Sequence, residues 1–248
     1  MKADKENFLA VFPNALARDP VKPGSFGRNP QLWNDGSDRF YPGQKAPNDV
    51  AFLNAMLDEL CANFSVDERR IFVTGFSNGA SMSFRFGAAA AKRLAALAPD
   101  AGACWLEPLT VERPLPLCYL TGMADPLNRL DGGVPKMAFG ANTREMRAKA
   151  KPPVRDSILK WAKALGCPST PAKTNETNGV RIETFGPGRE NTEIVFVTIA
   201  GQGHTWAGGK SLLSEFMVGK TTDKLNATDF IWNYFINHPA PAPTKEQK

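Results

Sequence analysis

The stretch RRIFVTGFSNGASMSF, at residues 69–84, constrains the fold more than any other part of the chain. Its first half is apolar and β-branched and breaks at Gly75, which predicts a buried strand. The small helix formers from Asn78 onward predict a buried helix. Ser77 therefore lies at a sharp strand-to-helix turn, inside a Gly-x-Ser-x-Gly pattern. We expect glycine at positions 75 and 79 because larger side chains two residues from the serine would collide with the neighbouring strand or helix.

The other apolar runs alternate with segments of helical periodicity, which predicts an α/β fold with a mostly parallel sheet flanked by helices. An early run, FLAVFPNA at residues 8–15, indicates a buried strand, and a long loop follows over residues 16–46. Further strands are predicted at LPLCYLTG, VRIETF and TEIVFVTIAG, and further helices at NDVAFLNAMLDELCANF, VRDSILKWAKALGC and DKLNATDFIWNYFINH. Because no domain boundary is visible, we predict a single domain over 1–238 and a flexible proline-rich tail over 239–248.

The composition argues against several classes of protein. Of the 248 residues, 42% are hydrophobic and 22% are charged, which suits a globular chain with a sizeable core. The net charge of +5 comes from scattered lysines and arginines, whereas nucleic-acid binding needs a concentrated basic face. No apolar run is long enough to span a bilayer, and the start, MKADKENFLA, shows no signal peptide. The four cysteines lack the spacing of a zinc site, so we predict buried thiols and no metal.

A serine hydroxyl needs a base to become a nucleophile, and the chain contains only two histidines. His238 precedes Pro239 at the edge of the polar tail, where few neighbours would hold its side chain in a fixed catalytic position. His204, in AGQGHTWAGG, follows an apolar strand that ends near Ala200. Because the carboxyl ends of parallel strands build sites at one edge of a sheet, we expect Ser77 and His204 to lie together.

The third catalytic group should be a carboxylate on a loop between the serine and the histidine in chain order. The candidates are Asp100, Asp125, Asp131 and Asp156, together with several glutamates. Asp125 is favoured because it directly follows the predicted strand LPLCYLTG. Asp156 falls in a predicted helix, Asp131 is further along the same loop, and Asp100 comes early in the order. The carboxylate would orient the imidazole and stabilise it once protonated.

The same region suggests how a substrate would be held. The backbone N–H of Asn78, at the start of the helix, is the predicted oxyanion donor. Four aromatic side chains are predicted to line an apolar substrate pocket, with core packing as the alternative for each: Phe76, Trp33, Trp105 and Trp206. Trp206 is the strongest of these candidates because it is two residues from His204.

These motifs together resemble the polyhydroxybutyrate depolymerase and feruloyl esterase family of α/β-hydrolases. The resemblance runs from about residue 8 to residue 235 and includes WNDG, VDERRIFVTGFSNGASM, LAPDAGA, TGMADPLN and GQGHTWAGG. It implies an α/β-hydrolase fold and hydrolysis of carboxylic esters through an acyl-enzyme, with no cofactor. It places the nucleophile, acid and base at Ser77, Asp125 and His204, and it favours a secreted or periplasmic location.

The chain departs from the family pattern in one important respect. Family members carry an upstream strand and a His-Gly loop that supplies an oxyanion donor, but no histidine precedes His204 here. We therefore expect a shortened N-terminal part, with a second donor from the glycine-rich stretches at 24–27 or around Gly36. Loss of that strand would expose the sheet edge beside Ser77 and invite a homo-oligomer. The usual partner of Cys167 is also not apparent, so the resemblance does not establish a disulfide there.

Three functions remain open. The leading one is a serine esterase acting on a small-molecule or polymeric ester, with short-chain acyl, aryl or feruloyl, and hydroxyalkanoate esters as candidate classes. The alternative is a weakly active or inactive remnant that binds an ester-like ligand or a partner chain, as the missing oxyanion loop suggests. Peptidase chemistry is the third, because the same triad cleaves amides.

Overall fold

The structure is a computed structural model that describes residues 2–25, 28–39, 45–135 and 149–242. Its helices are α1 (Lys2–Glu6), α2 (Asp49–Asn63), α3 (Asn78–Ala89), α4 (Val154–Leu165), α5 (Glu215–Val218) and α6 (Ala227–Ile236). Its strands are β1 (Phe72–Phe76), β2 (Ala96–Asp100), β3 (Leu117–Gly122), β4 (Lys173–Thr177), β5 (Val180–Phe185) and β6 (Ile194–Ile199). All four cysteines lie in these ranges and are free thiols.

The strands form one sheet in the order β1-β2-β3-β6-β5-β4. The first four of these strands run parallel, while β5 and β4 are antiparallel to their neighbours. The carboxyl ends of β1, β2, β3 and β6 therefore meet at one edge, where the loops that follow them come together.

Helices cover both faces of this sheet. On one face, buried residues of α2, α3 and α4 pack against β3 and β6 around Phe84, Tyr119 and Trp161. On the other face, α6 packs against β2, β3 and β6 through Ile231 and Phe235. This arrangement confirms the predicted α/β class with a mostly parallel sheet flanked by helices.

Most predicted elements are present, with small differences in their bounds. Asn48 caps α2, because its side chain accepts a hydrogen bond from the Ala51 N–H at 3.1 Å. The helix predicted from Asn78 ends at Ala89, and the chain re-enters the sheet as β2, where the sequence around Leu97 indicates a return to the sheet. Strand β4 was not predicted, because its residues are polar and exposed and carry no apolar alternation.

The strand predicted over residues 8–15 is wrong. This segment belongs to no strand, and Leu9 and Phe12 are 54% and 88% exposed. Its apolar residues find no neighbouring strand, and the ring of Phe8 instead stacks on Trp232 of α6 at 4.2 Å between centroids. An apolar run is a strand only where the sheet offers it a partner, and here the described residues offer none.

The two edges of the sheet differ in character. Within the described residues, β1 and β4 are the edge strands. Strand β4 carries Lys173 and Glu176, and charges of this kind discourage pairing with other chains. Strand β1 carries no charged residue. None of the helices in the described ranges is long and apolar enough to cross a membrane.

Candidate active site

Ser77 sits at the turn between β1 and α3 with a backbone φ of 57°. This left-handed value is unfavourable for a residue with a side chain, and such strain is typical of functional turns. The Ser77 N–H donates to the Asp100 carbonyl at 2.9 Å, and its own carbonyl accepts the Ser81 N–H at 3.1 Å. These bonds hold the strained residue at the carboxyl edge of the sheet.

The two glycines that flank the serine have different roles. A Cβ on Gly75 would lie 2.3 Å from the Gly79 carbonyl oxygen, so the turn requires glycine there. A Cβ on Gly79 would meet nothing within 4 Å. The expected collision at Gly79 is therefore wrong, since that face of the first helical turn is open. Another glycine has the steric role instead, because a Cβ on Gly102 would approach the Ser77 carbonyl to 2.5 Å.

His204 lies in the loop after β6 and faces the serine. Its Nε2 is 2.8 Å from Ser77 Oγ, and its Nδ1 is 2.7 Å from Asp125 Oδ2. The His204 N–H donates to the Val218 carbonyl at 2.5 Å. The preceding Gly203 fits because a Cβ there would lie 2.3 Å from that same carbonyl oxygen. The loop is thus held closely against α5.

Asp125 follows β3 and is buried, with no exposed side-chain surface. Its Oδ1 accepts the N–H groups of Leu127 and Asn128, each at 2.7 Å, and its Oδ2 faces the imidazole. Because a carboxylate only accepts hydrogen bonds, His204 donates from Nδ1 and keeps its Nε2 lone pair directed at Ser77. This is the arrangement that allows an imidazole to accept the proton of a serine hydroxyl.

Asn78 supplies more than a backbone donor. Its N–H belongs to the first turn of α3, where the helix offers no intrahelical acceptor. Its side chain holds the loop segment 33–37: Oδ1 accepts the Trp33 N–H at 2.7 Å, and Nδ2 donates to the Trp33 carbonyl and to Asp35 Oδ2, both at 3.1 Å. Gly36 therefore lies in a segment that is fixed beside the nucleophile.

The other glycine-rich stretch gives a different picture. Gly24 lies in a turn closed by Asn29, whose side-chain amide donates to the carbonyls of Lys22 and Pro23 at 3.0 and 3.2 Å. Gly27 lies outside the described residues. Of the two stretches considered for a second oxyanion donor, the one around Gly36 is the one bonded to Asn78.

The predicted pocket aromatics do not form one group. Phe76 lies against the His204 ring at 4.8 Å between centroids, and Trp206 meets Phe76 edge-on at 6.4 Å. Trp33 stacks on Phe52 at 6.3 Å and packs partly into the core. Trp105 lies under the Arg39 guanidinium, 4.4 Å from its ring centroid. Phe76 and Trp206 are therefore the aromatic residues next to the imidazole.

The carboxylate bonded to His204 Nδ1 is Asp125, and the remaining sequence candidates have other surroundings. Asp131 pairs with Arg129, and Asp156 is in the first turn of α4. Asp100 ends β2 and is buried. His238 stacks on Tyr234 and faces Glu193 at 3.3 Å. The described ranges contain no group of three or more His, Cys, Asp or Glu side chains that could hold a metal ion.

The residues that hold the loops of Asp125 and His204 in place were not predicted from the sequence. The Asn128 amide donates to the Tyr119 hydroxyl at 2.9 Å and to Thr121 Oγ1 at 3.3 Å, which fixes the loop that carries Asp125. Gln202 bonds the Thr205 carbonyl and hydroxyl and accepts the Thr222 N–H at 2.8 Å, which fixes the loop of His204. Residues 125–128 read Asp-Pro-Leu-Asn, and this pattern indicates the turn that carries Asp125. Aspartate at such a turn often accepts the N–H groups two and three residues ahead.

Comparison with known proteins identifies relatives among esterases. No model of a known protein family matches the chain. Feruloyl esterase B of Piromyces equi is 29% identical over 197 residues, which cover 75% of this chain and 33% of that protein. A protein of Nocardia uniformis subsp. tsuyamanensis named as an esterase, NocK, is 28% identical over 196 residues, which cover 76% of this chain and 57% of that protein. The chain thus spans only part of the length of these curated relatives.

Among solved structures, an acetyl xylan esterase from Aspergillus awamori aligns with a TM-score of 0.49 and 17% identity, covering 74% of this chain and 70% of that chain. The curated relatives confirm the predicted resemblance to esterases, a feruloyl esterase among them.

Proposed function

We propose that this chain, a relative of curated feruloyl and other esterases, is a serine esterase that hydrolyses carboxylic esters through Ser77, His204 and Asp125. One observation carries the proposal. A continuous hydrogen-bond chain joins Ser77 Oγ, the two ring nitrogens of His204 and Asp125 Oδ2, with distances of 2.8 and 2.7 Å. It lies at a strained strand-to-helix turn, and this combination is the arrangement of a nucleophile elbow with its base.

The reaction follows from this geometry. His204 Nε2 takes the hydroxyl proton while Ser77 Oγ attacks the ester carbonyl, and the tetrahedral intermediate places its negative charge on the carbonyl oxygen. His204 then returns the proton to the leaving alcohol, which leaves an acyl-enzyme. A water molecule repeats both steps, and the acid is released with free Ser77. Asp125 holds the imidazole in the productive tautomer and stabilises it while it is protonated.

The oxyanion would be held at the start of α3. The Asn78 N–H is the first donor. We assign the second to the segment around Gly36, because the oxygen and the nitrogen of the Asn78 side-chain amide both bond to residues of that segment, Trp33 and Asp35. A second donor matters because the loss of one oxyanion donor typically costs about 10²–10³ in turnover.

The substrate class follows from the residues near the imidazole. Phe76 and Trp206 offer apolar and aromatic surface next to His204. We therefore propose short-chain acyl, aryl or feruloyl, and hydroxyalkanoate esters as substrates, in small molecules or polymers. Feruloyl esterase B, one of the relatives, acts by its name on feruloyl esters.

The test is the hydrolysis of 4-nitrophenyl butyrate and methyl ferulate by the purified chain and by Ser77→Ala. We expect the substitution to lower kcat by about 10⁴- to 10⁶-fold, because nucleophile and base act as a unit. Ser211→Ala is the matched control, since this serine is exposed and its hydroxyl donates only to the Leu213 carbonyl.

Two results would contradict the proposal. Equal turnover by Ser77→Ala would remove the serine mechanism, and no turnover by a folded wild-type chain would favour the ligand-binding remnant. Cleavage of an ester but not of its matched amide would reject peptidase chemistry.

A further inference from the structure

A group of cationic side chains lies beside the proposed triad. We call Arg39, Lys149 and Lys151 the cationic cluster. Lys151 Nζ donates to Asn128 Oδ1 at 3.3 Å, and the Asn128 N–H donates to Asp125 Oδ1. Asn128 therefore links the Lys151 ammonium to the Asp125 carboxylate, which bonds the imidazole.

The rest of the cluster surrounds Trp105. The Arg39 guanidinium carbon is 4.4 Å from the centroid of the indole ring, and Lys149 Nζ is 5.9 Å from it. Arg39 also faces Asp35 at 3.7 Å, and Asp35 accepts the side-chain amide of Asn78, next to the nucleophile. The cluster thus borders the site from Asn78 to Asp125.

The carboxylates at this border are all engaged by other side chains. Asp125 is bonded to the imidazole, Asp35 faces Arg39, and Asp38 lies 4.0 Å from Lys149 on the surface. In the described part of the chain, no carboxylate lies within ion-pair distance of Lys151. Burial, with repulsion by Arg39, lowers the pKa of Lys151 to about 8 despite attraction by Asp125 and Asp35. A half-buried ammonium with only an amide oxygen as acceptor is under-compensated.

A second observation at the same place is independent of charge. The indole Nε1 of Trp105 is buried and has no hydrogen-bond partner. Buried donors are almost always satisfied in folded proteins, so an orphaned N–H calls for an acceptor that the chain does not supply. The side chains of Trp105 and Lys151 each keep part of their surface exposed, although the indole Nε1 itself is buried.

We propose that the cationic cluster and the Trp105 N–H bind a carboxylate carried by the ester substrate. The proposal rests on the proposed esterase function and deepens it: the preferred substrates are anionic esters. A carboxylate fits because its oxygens accept hydrogen bonds from ammonium and indole N–H donors, and because Lys151 has no carboxylate partner among the described residues. The carboxylate could belong to the acyl part or to the alcohol part of the ester, and the two are separated by experiment.

The experiment compares matched pairs of esters that differ in one charge. For the acyl part, the pair is 4-nitrophenyl hemiadipate and 4-nitrophenyl hexanoate, with the spontaneous rate subtracted. For the alcohol part, the pair is the butyryl ester of 4-hydroxybenzoate and that of 4-hydroxybenzamide. The readout is the ratio of kcat/KM for the anionic ester to kcat/KM for the neutral one. We expect a ratio above one for at least one pair.

The variants are Lys151→Met, which removes the ammonium, and Trp105→Phe, which removes only the indole N–H and keeps a ring under Arg39. Each should lower the ratio by about 10- to 100-fold, mainly through KM, because a hydrogen bond to a charged group contributes about 1.5–3 kcal/mol. Lys92→Met is the control for net charge. Lys92 pairs with Glu112 on the surface before β2, away from the carboxyl edge, and its variant should keep the wild-type ratio.

A binding measurement keeps the two proposals separate. In Ser77→Ala, the monomethyl ester of adipate, which carries one carboxylate, should bind more tightly than the neutral methyl hexanoate by calorimetry, and Lys151→Met should remove the difference. Turnover with ratios near one in wild type, or ratios that Lys151→Met and Trp105→Phe do not change, would overturn the anionic preference and leave the esterase standing. If no ester is hydrolysed, the esterase proposal fails, and the adipate measurement alone decides whether the cluster binds carboxylates.

Discussion

Asp100 and Asp125 come at the ends of neighbouring strands, yet their surroundings differ. Asp125 accepts two backbone N–H groups and the imidazole N–H, which fix its carboxylate beside His204. Burial, and then the negative charge of Asp125, raise the pKa of Asp100 well above its ordinary value of 3.8. The sequence offered both as triad candidates, and the local hydrogen bonds separate them.

We therefore expect Asp125→Asn to lower kcat/KM by about 10³- to 10⁴-fold, since the imidazole loses its orienting carboxylate. Asp100→Asn should keep activity within about tenfold, because the amide resembles the neutral acid. Both values come from initial rates on the same ester. A large loss in Asp100→Asn with little loss in Asp125→Asn would reverse the assignment of the acid.

The Asp100→Asn substitution should also change how the free energy of unfolding depends on pH. A raised folded-state pKa means that the folded chain binds the Asp100 proton more tightly than the unfolded chain does. This contribution is complete below 3.8 and is lost as the pH rises through the folded-state pKa. The free energy of unfolding of Asp100→Asn should therefore increase relative to wild type as the pH rises, measured by urea denaturation between about pH 4 and pH 8. A constant difference would contradict the raised pKa.

The two glycines of the nucleophile turn provide another prediction at this scale. Gly75→Ala should destabilise the fold by about 1–3 kcal/mol, because its Cβ would collide with the Gly79 carbonyl. Gly79→Ala should stabilise it by up to about 1 kcal/mol, since the space is open and alanine is the better helix former. Denaturant midpoints of the two variants give the test, and equal losses would contradict the asymmetry.

At the scale of elements, the start of α3 organises a loop that has no regular structure of its own. The side chain of Asn78 bonds Trp33 and Asp35, while the Arg85 guanidinium donates to the Asn34 carbonyl at 2.5 Å and Asp49 accepts the Asn34 N–H at 2.6 Å. Helices α2 and α3 together fix the segment 33–37 beside Ser77. A long loop therefore becomes part of the site through hydrogen bonds from its neighbours.

Asn78→Ala should release this segment while keeping the backbone N–H that we assign to the oxyanion. We expect faster amide exchange over residues 33–37 and a loss of about 1–3 kcal/mol in stability, because buried groups of the loop lose their partners. Hydrogen-exchange mass spectrometry gives the local readout. Asn63→Ala is the control, since its amide bonds only Glu59 on the exposed end of α2. Unchanged exchange over 33–37 would show that other contacts hold the loop.

At the scale of the whole molecule, two features favour association with a second copy. Strand β1 is an uncharged edge in the described ranges, and Leu9, Val11 and Phe12 expose apolar side chains. Exposed apolar side chains and an unprotected edge strand are each typical of surfaces that associate. We propose a homo-oligomer through these two features.

We also propose that residues up to 238 form one domain, to which the start of the tail is tied by the bond from the Ala240 N–H to the Arg69 carbonyl at 2.8 Å. Residues 243–248 of the predicted tail lie outside the described residues.

The double variant Leu9→Ser and Phe12→Ser should shift the chain toward monomer in sedimentation velocity. Its free energy of unfolding should change by less than about 1 kcal/mol, because both side chains are exposed and each surface substitution has a small effect. A wild-type chain that is monomeric at high concentration would contradict the proposed association. A double variant with a large stability loss would show that the segment packs against the fold.

Local pattern and chain order in the sequence are enough to predict the serine turn, the positions of three candidate site residues and the class of fold. The strand, strained serine turn and helix at residues 69–84 follow from apolar runs, glycine and small residues. The positions of Ser77, Asp125 and His204 after three parallel strands follow from the geometry of the sheet edge. The class of fold follows from the alternation of apolar strands with amphipathic helices.

The neighbours of each residue in space are visible only in the folded chain. The apolar run at 8–15 reads as a strand, but strand formation requires a hydrogen-bonding partner, and that information is not local. The opposite roles of Gly75 and Gly79 depend on which backbone passes nearby. The same holds for the Asn78 bonds to a loop 45 residues away and for the grouping of Arg39 and Lys151 around the site. Packing and charge balance are set by contacts between distant segments, so they become visible only once the chain is folded.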